Sequence, residues 1–226
     1  MIASWLCVFV LQGWAGVKED AATAADTTLA VDVRETAYRR LMDPASTQEV
    51  MARLKASDLD PAHRWVLIRS LGPNPSDDAR ATLVALVESK DAMVRAAAME
   101  AFGDRKDRAL TGKAVKGLSD PALLVHAAAL DALIQLKDPS ALADLDKALQ
   151  DPEGRYKSTS FRQKIVMAMA VCGQDAARYL AAALTDDDED VARIAKESLE
   201  KIAGFSYGEG RTPDQEVEAW RRWAER

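Results

Sequence analysis

Cysteine, histidine and aromatic residues are scarce in this 226-residue sequence: two Cys, two His and 6% Phe, Trp and Tyr. Cys7 sits in an apolar N-terminal run, so a chain that loses this run keeps Cys172 alone. One thiol forms no intramolecular disulfide, and stability must then come from packing. The two histidines, His63 and His126, are far apart in sequence, which leaves a zinc site almost no ligands. Eleven Gly and eight Pro are few for an all-β chain with its many turns. A basic surplus is also missing: 30 Lys and Arg face 36 Asp and Glu, a net charge of −6. That balance suits a soluble acidic surface and fits a phosphate backbone poorly, so nucleic acid is not an expected partner.

Long apolar runs are absent too. The uncharged N-terminal stretch, residues 1–17 with the apolar run 2–15 (IASWLCVFVLQGWA) within it, falls short of the ~20 residues of a membrane span. It suits the apolar core of a secretory signal, and Gly13 and Ala15 supply small residues near a cleavage site. Residues 1–16 therefore read as a signal peptide, although Met1 to Ser4 lack the usual positive charge. No small residues precede Cys7 in the pattern that lipid attachment needs. Export to the periplasm or cell envelope is expected, with residues 17–29 as a linker and no membrane span in the mature chain.

What the sequence does have is a repeat. Taking Val94 in DAMVRAAAMEAFG as anchor, the pattern recurs at Val33, His63, Val94, Val125, Phe161 and Val191, spaced 30, 31, 31, 36 and 30 residues. Four residues on come Ala37, Leu67, Ala98, Ala129, Ile165 and Ala195; eight residues on come Leu41, Leu71, Phe102, Leu133, Met169 and Leu199. Positions i, i+4 and i+8 share one helical stripe, so each anchor predicts an amphipathic helix. A second apolar-periodic stretch precedes five of the anchors, at roughly 44–56, 75–89, 105–118, 139–150 and 175–185. Pro44, Pro75 and Pro139 suit first helical turns, acidic turns such as DLDP and DDDED suit caps, and Gly72, Gly103, Gly173 and Gly204 fall where helices should stop. Hairpins of about 30 residues cannot bury such a stripe alone, and stacking successive copies buries it. The expected fold is all-α: an α-solenoid of about five helix pairs over residues 30–204, followed by a C-terminal linker and capping helix over 205–226.

The units DAMVRAAAMEAFG and DPALLVHAAALDAL resemble the second helix of HEAT repeats, in particular the short bacterial, phycobilisome-lyase-like type. In that family, an Asp in the turn and an Arg after the anchor brace neighbouring repeats. The resemblance places this Arg at Arg34, Arg64, Arg95 and Arg162, with His126 and Ala192 as departures. It also implies a tetrapyrrole- or bilin-lyase-like activity as an alternative to a scaffold, and, more remotely, a HEAT-like DNA repair glycosylase.

Two irregularities stand out. The 36-residue spacing inserts DPEGRYKSTS, whose Arg155, Tyr156 and Lys157 form a basic–aromatic–basic tip. Tyr and Arg are favoured at binding hot spots, so this tip is the candidate partner-binding site. After Gly204, the tail FSYGEGRTPDQEVEAWRRWAER places Trp220 and Trp223 on one face of a last helix opened by Thr212 and Pro213. It reads as a terminal cap, or alternatively as an aromatic patch for a partner or a glycan. Cys172 reads as an apolar filler, and Asp186 to Asp190 as capping residues that lack the spacing of a calcium loop. No nucleotide loop, catalytic triad or metal cluster is recognisable. The sequence therefore predicts no enzyme and no cofactor, but a scaffold whose partner is another protein.

Overall fold

The computed structural model describes residues 16–151 and 158–226. Every regular element among them is helical. The α-helices are α1 (Val17–Ala25), α2 (Val31–Met42), α3 (Thr47–Leu54), α4 (Pro61–Ser70), α5 (Asp77–Leu86), α6 (Ala92–Arg105) and α7 (Thr111–Gly117). They continue with α8 (Leu123–Leu136), α9 (Leu142–Leu149), α10 (Thr159–Ala170), α11 (Ala177–Ala183), α12 (Glu189–Ala203) and α13 (Pro213–Ala224). The chain divides into two compact units, one ending at Arg105 and one beginning at Lys106.

Each predicted anchor lies in a second helix of a hairpin: α2, α4, α6, α8, α10 and α12. The stripe behind the anchors is the core, because all six residues at i+4 and all six at i+8 are buried. The anchors themselves are less uniform. Val94, Val125 and Val191 are buried, whereas Val33 is 45% exposed at the start of α2. Second helices pack side by side within each unit, α2 on α4 and α4 on α6 in the first, and α8 on α10 and α10 on α12 in the second. That stacking of helix pairs is an all-α, α-solenoid arrangement.

Pro44 and Pro139 open first helices as the sequence suggests, through a shared device, whereas Pro75 does not lie in a first turn but precedes the cap of α5. Short 3-10 turns at Pro44–Ser46, Arg108–Leu110 and Pro139–Ala141 lead into α3, α7 and α9. Asp43, Asp107 and Asp138 cap these turns by accepting from the backbone N–H two residues on, at 2.8–3.0 Å. Before α5 the cap is Ser76, whose hydroxyl accepts from Ala79 N–H at 3.2 Å.

Two expectations need correction. Residues 17–29 are no mere linker, because α1 fills most of them and packs on α2 and α4. The sequence pattern hides this helix, since only Val17 and Ala21 supply apolar burial. Its third buried side chain is Asp20, clasped by Arg40 Nε at 2.9 Å and Nη2 at 2.5 Å. Gly103 does not stop α6, which runs on to Arg105 and ends where Lys106 turns left-handed at φ 55°. Gly103 is instead a buried interior position. Gly204 does end its helix, in the left-handed conformation at φ 78°. The signal-peptide reading concerns residues that, but for Gly16, lie outside the described ones. Among the described residues, no helix is long and apolar enough to cross a membrane.

Candidate functional site

The residue after four of the six anchors, at Arg64, Arg95, His126 and Arg162, has a common structural task. A helix ends with carbonyls that lack intrahelical partners, and a cation placed there both bonds them and faces the negative end of the helix dipole. Arg64 Nη2 donates to Ala56 O at 3.4 Å, just past α3. Arg95 Nη1 donates to Ser89 O at 2.8 Å and Lys90 O at 3.1 Å, just past α5. Arg162 Nη1 donates to Leu149 O, the last residue of α9, at 2.9 Å. His126, in the same position of its hairpin, bonds Asp120 O through Nε2. Each of these side chains latches its second helix to the end of its own first helix.

The expected brace between neighbouring repeats is therefore mainly a brace within one hairpin. Arg162 does both, since its other Nη pairs with Asp186 from the next hairpin. Within residues 186–190, Asp188 caps α12 by accepting from Asp190 N–H at 3.0 Å, and Asp186 accepts from Asp188 N–H at 3.0 Å in the turn before it. The Thr159 hydroxyl, 2.6 Å from Asp188, holds that carboxyl below its usual pKa.

Neighbouring second helices are joined by charges instead. Arg69 on α4 donates from Nη2 to Asp104 on α6 at 2.6 Å and also pairs with Glu100. Lys164 on α10 meets both carboxylate oxygens of Asp131 on α8 at 2.8 Å. Apolar side chains stand exposed on these same helices: Met93 on α6, Leu123 and Leu124 on α8, and Met167 on α10. In the first unit, Leu59, Trp65, Ile68 and Met93 line a cavity of about 200 Å³, with Arg64 and Asp91 also in its wall.

The predicted partner site at Arg155, Tyr156 and Lys157 lies outside the described residues. Cys172 is half-buried and gives its Sγ–H to Ala168 O at 3.6 Å. Burial, with Asp138 and Asp175 nearby, pushes its thiol pKa up, the opposite of what an activated nucleophile needs. His63 is partly exposed at the start of α4, while His126 is buried and edge-on to Phe161 at 6.5 Å. Among the described residues, no group of three or more His, Cys, Asp or Glu could hold a metal ion.

The tail is a cap whose centre is Trp220. This ring is fully buried, stacked on Phe205 at 5.7 Å and met edge-on by Tyr207 at 4.8 Å and Trp223 at 5.5 Å. Thr212 and Gln215 form a reciprocal capping box with Pro213 in the first turn, and α13 packs on α11. The sequence supplied the Trp pair and the capping box, but it gave no sign that Phe205 and Tyr207 complete the cluster.

Comparison with known proteins agrees with this architecture. A search of curated proteins finds no match. Among solved structures, the chain resembles "the complex of CpcE and CpcF of phycocyanin lyase from Nostoc sp. PCC7120", with a TM-score of 0.50 and 19% identity over 84% of this chain and 77% of that one. At that identity the likeness concerns the fold. A family model for HEAT repeats matches residues 47–115, which span α3 to α7. The chain carries HEAT repeats.

Proposed function

We propose that this chain is a non-enzymatic scaffold that binds another protein through the exposed faces of its second helices, in the periplasm or cell envelope. The observation that carries this reading is the exposure of Met93, Leu123, Leu124 and Met167 on helices whose other faces form the core. Apolar side chains beside charged pairs are the composition of a docking surface, with apolar contacts for affinity and a charged margin for specificity. The Nostoc neighbour was itself solved as a complex of two proteins, which accords with such a role.

Affinity capture of the full chain from its native envelope fraction, followed by mass spectrometry, tests the proposal. A partner retained by the native chain should be lost with Leu124→Asp or Met167→Asp. Capture that survives both changes would move the interface elsewhere. Loss on changing Arg155, Tyr156 and Lys157 to Ala would assign it to the insertion. Recovery of the chain in the cytosolic fraction would overturn the envelope location. Incubation with a bilin should give no spectral shift, and a shift would favour the lyase-like alternative.

A further inference from the structure

Trp220 is the one fully buried ring in the cap of the second unit, and the three rings packed around it also reach solvent. Phe205 is 43% exposed, and Tyr207 and Trp223 are partly exposed. Tyr207 and Trp223 form the aromatic wall of an open pocket of about 800 Å³. Its remaining lining includes Arg211, Asp214, Gln215, Glu218 and Arg222.

Two features of that lining define a ligand class. The first is charge: Arg211, Arg222 and Arg226 are matched by Glu209, Asp214 and Glu218. Two of the three cations are also engaged locally. Arg211 donates to Tyr207 O at 2.9 Å and lies over the Tyr207 ring at 5.2 Å, while Arg222 pairs with Glu218 at 3.3 Å. A pocket with three charges of each sign, one pair of them already joined, offers little net attraction to an anion or a cation. The second feature is shape. Carboxylate, amide and guanidinium groups are planar and can bond two adjacent hydroxyls at once. An indole beside them offers an apolar face to which the C–H side of a sugar ring can be applied.

We propose that the pocket between the 207–211 segment and α13 binds a neutral saccharide. Trp223 supplies the stacking face, and Glu218 and Arg222 bond the ring hydroxyls. This inference is independent of the protein-scaffold reading, which concerns the second helices. A shallow, water-exposed site holds a single sugar weakly, so affinity should lie in the millimolar range and improve with oligosaccharide length.

The test is titration of the full chain with cellotetraose, the fully N-acetylated tetramer of glucosamine and a galacto-tetrasaccharide, followed by tryptophan fluorescence and calorimetry. At least one should give a saturable signal with matching heat. Trp223→Ala should abolish it, and Arg222→Ala, at an exposed position that leaves the cap intact, should weaken it at least about tenfold. Circular dichroism melts establish that each variant keeps its helices. Absence of binding by all three sugars, or binding that survives Trp223→Ala and Arg222→Ala unchanged, would overturn the proposal. Saturable binding of inorganic phosphate in place of the sugars would identify an anion site and overturn it equally.

Discussion

Helix α6 and helix α13 lie in different units and bury their inner faces with opposite materials. Helix α6 turns a row of small residues inward, Ala96, Ala97, Ala98 and Ala101, with Phe102 as its one buried ring. Helix α13 buries one residue fully, Trp220, and gathers Phe205, Tyr207 and Trp223 around it. Small side chains let a neighbouring backbone come close, as beside Gly72, where an added Cβ would stand 2.8 Å from Ala101 O. At α13, the C-terminal helix of the second unit, large rings provide the covering instead. Helix α6 thus gains from closeness, and α13 from ring area.

The sharpest way to break this comparison is Trp220→Ala. Removing a fully buried indole should cost about 3–5 kcal/mol, read as a fall in melting temperature. Trp220→Phe should cost much less, because Nε1 has no hydrogen-bond partner among the described residues and only volume is lost. Equal losses would mean that the indole nitrogen matters after all. On the other side, Gly72→Ala should destabilise by about 1–3 kcal/mol through overpacking. A neutral or stabilising result in denaturant titration would show that the two backbones can separate freely.

Smaller effects separate a latch from a surface pair. Arg162→Ala strips a bond from the end of α9 and leaves Asp186, a largely buried carboxylate, without its guanidinium, which should cost about 1–3 kcal/mol. Lys164→Ala removes a pair whose side chains are 38% and 44% exposed, and should cost at most about 1 kcal/mol, less in high salt. Reversal of that order would make the charged pairs, not the latches, the main ties. The last effect is confined to alkaline pH. Burial pushes the Tyr38 hydroxyl from 10.0 up to about 12, Arg69 opposing and Asp104 and Glu100 assisting. A raised pKa means that the folded state favours the protonated form. This contribution is complete below pH 10.0 and is lost as pH rises toward about 12. Tyr38→Phe should flatten that part of the stability profile.

The sequence made the stripe legible because large apolar residues at i+8 and small or apolar ones at i+4 recur in every hairpin. The capping residues were equally readable, since Asp, Ser and Thr before Pro or an apolar run leave few other uses. Helix α1 was not, because its burial depends on two modest apolar residues and on Asp20, whose partner Arg40 is twenty positions away. The latches escaped for a related reason. An Arg after the anchor is visible, but whether it reaches its own hairpin or the next depends on loop lengths that periodicity does not encode. The aromatic cap was half legible: Trp220 and Trp223 share a helical face, while Phe205 and Tyr207 come from an irregular segment.

Because the latches of Arg64, Arg95, His126 and Arg162 run to carbonyls of their own hairpins, each of these hairpins carries a fastening with it. A copied hairpin would bring that fastening along, whereas its ties to neighbours, of the kind Arg69 makes to Asp104 and Lys164 to Asp131, would have to be remade at each new junction.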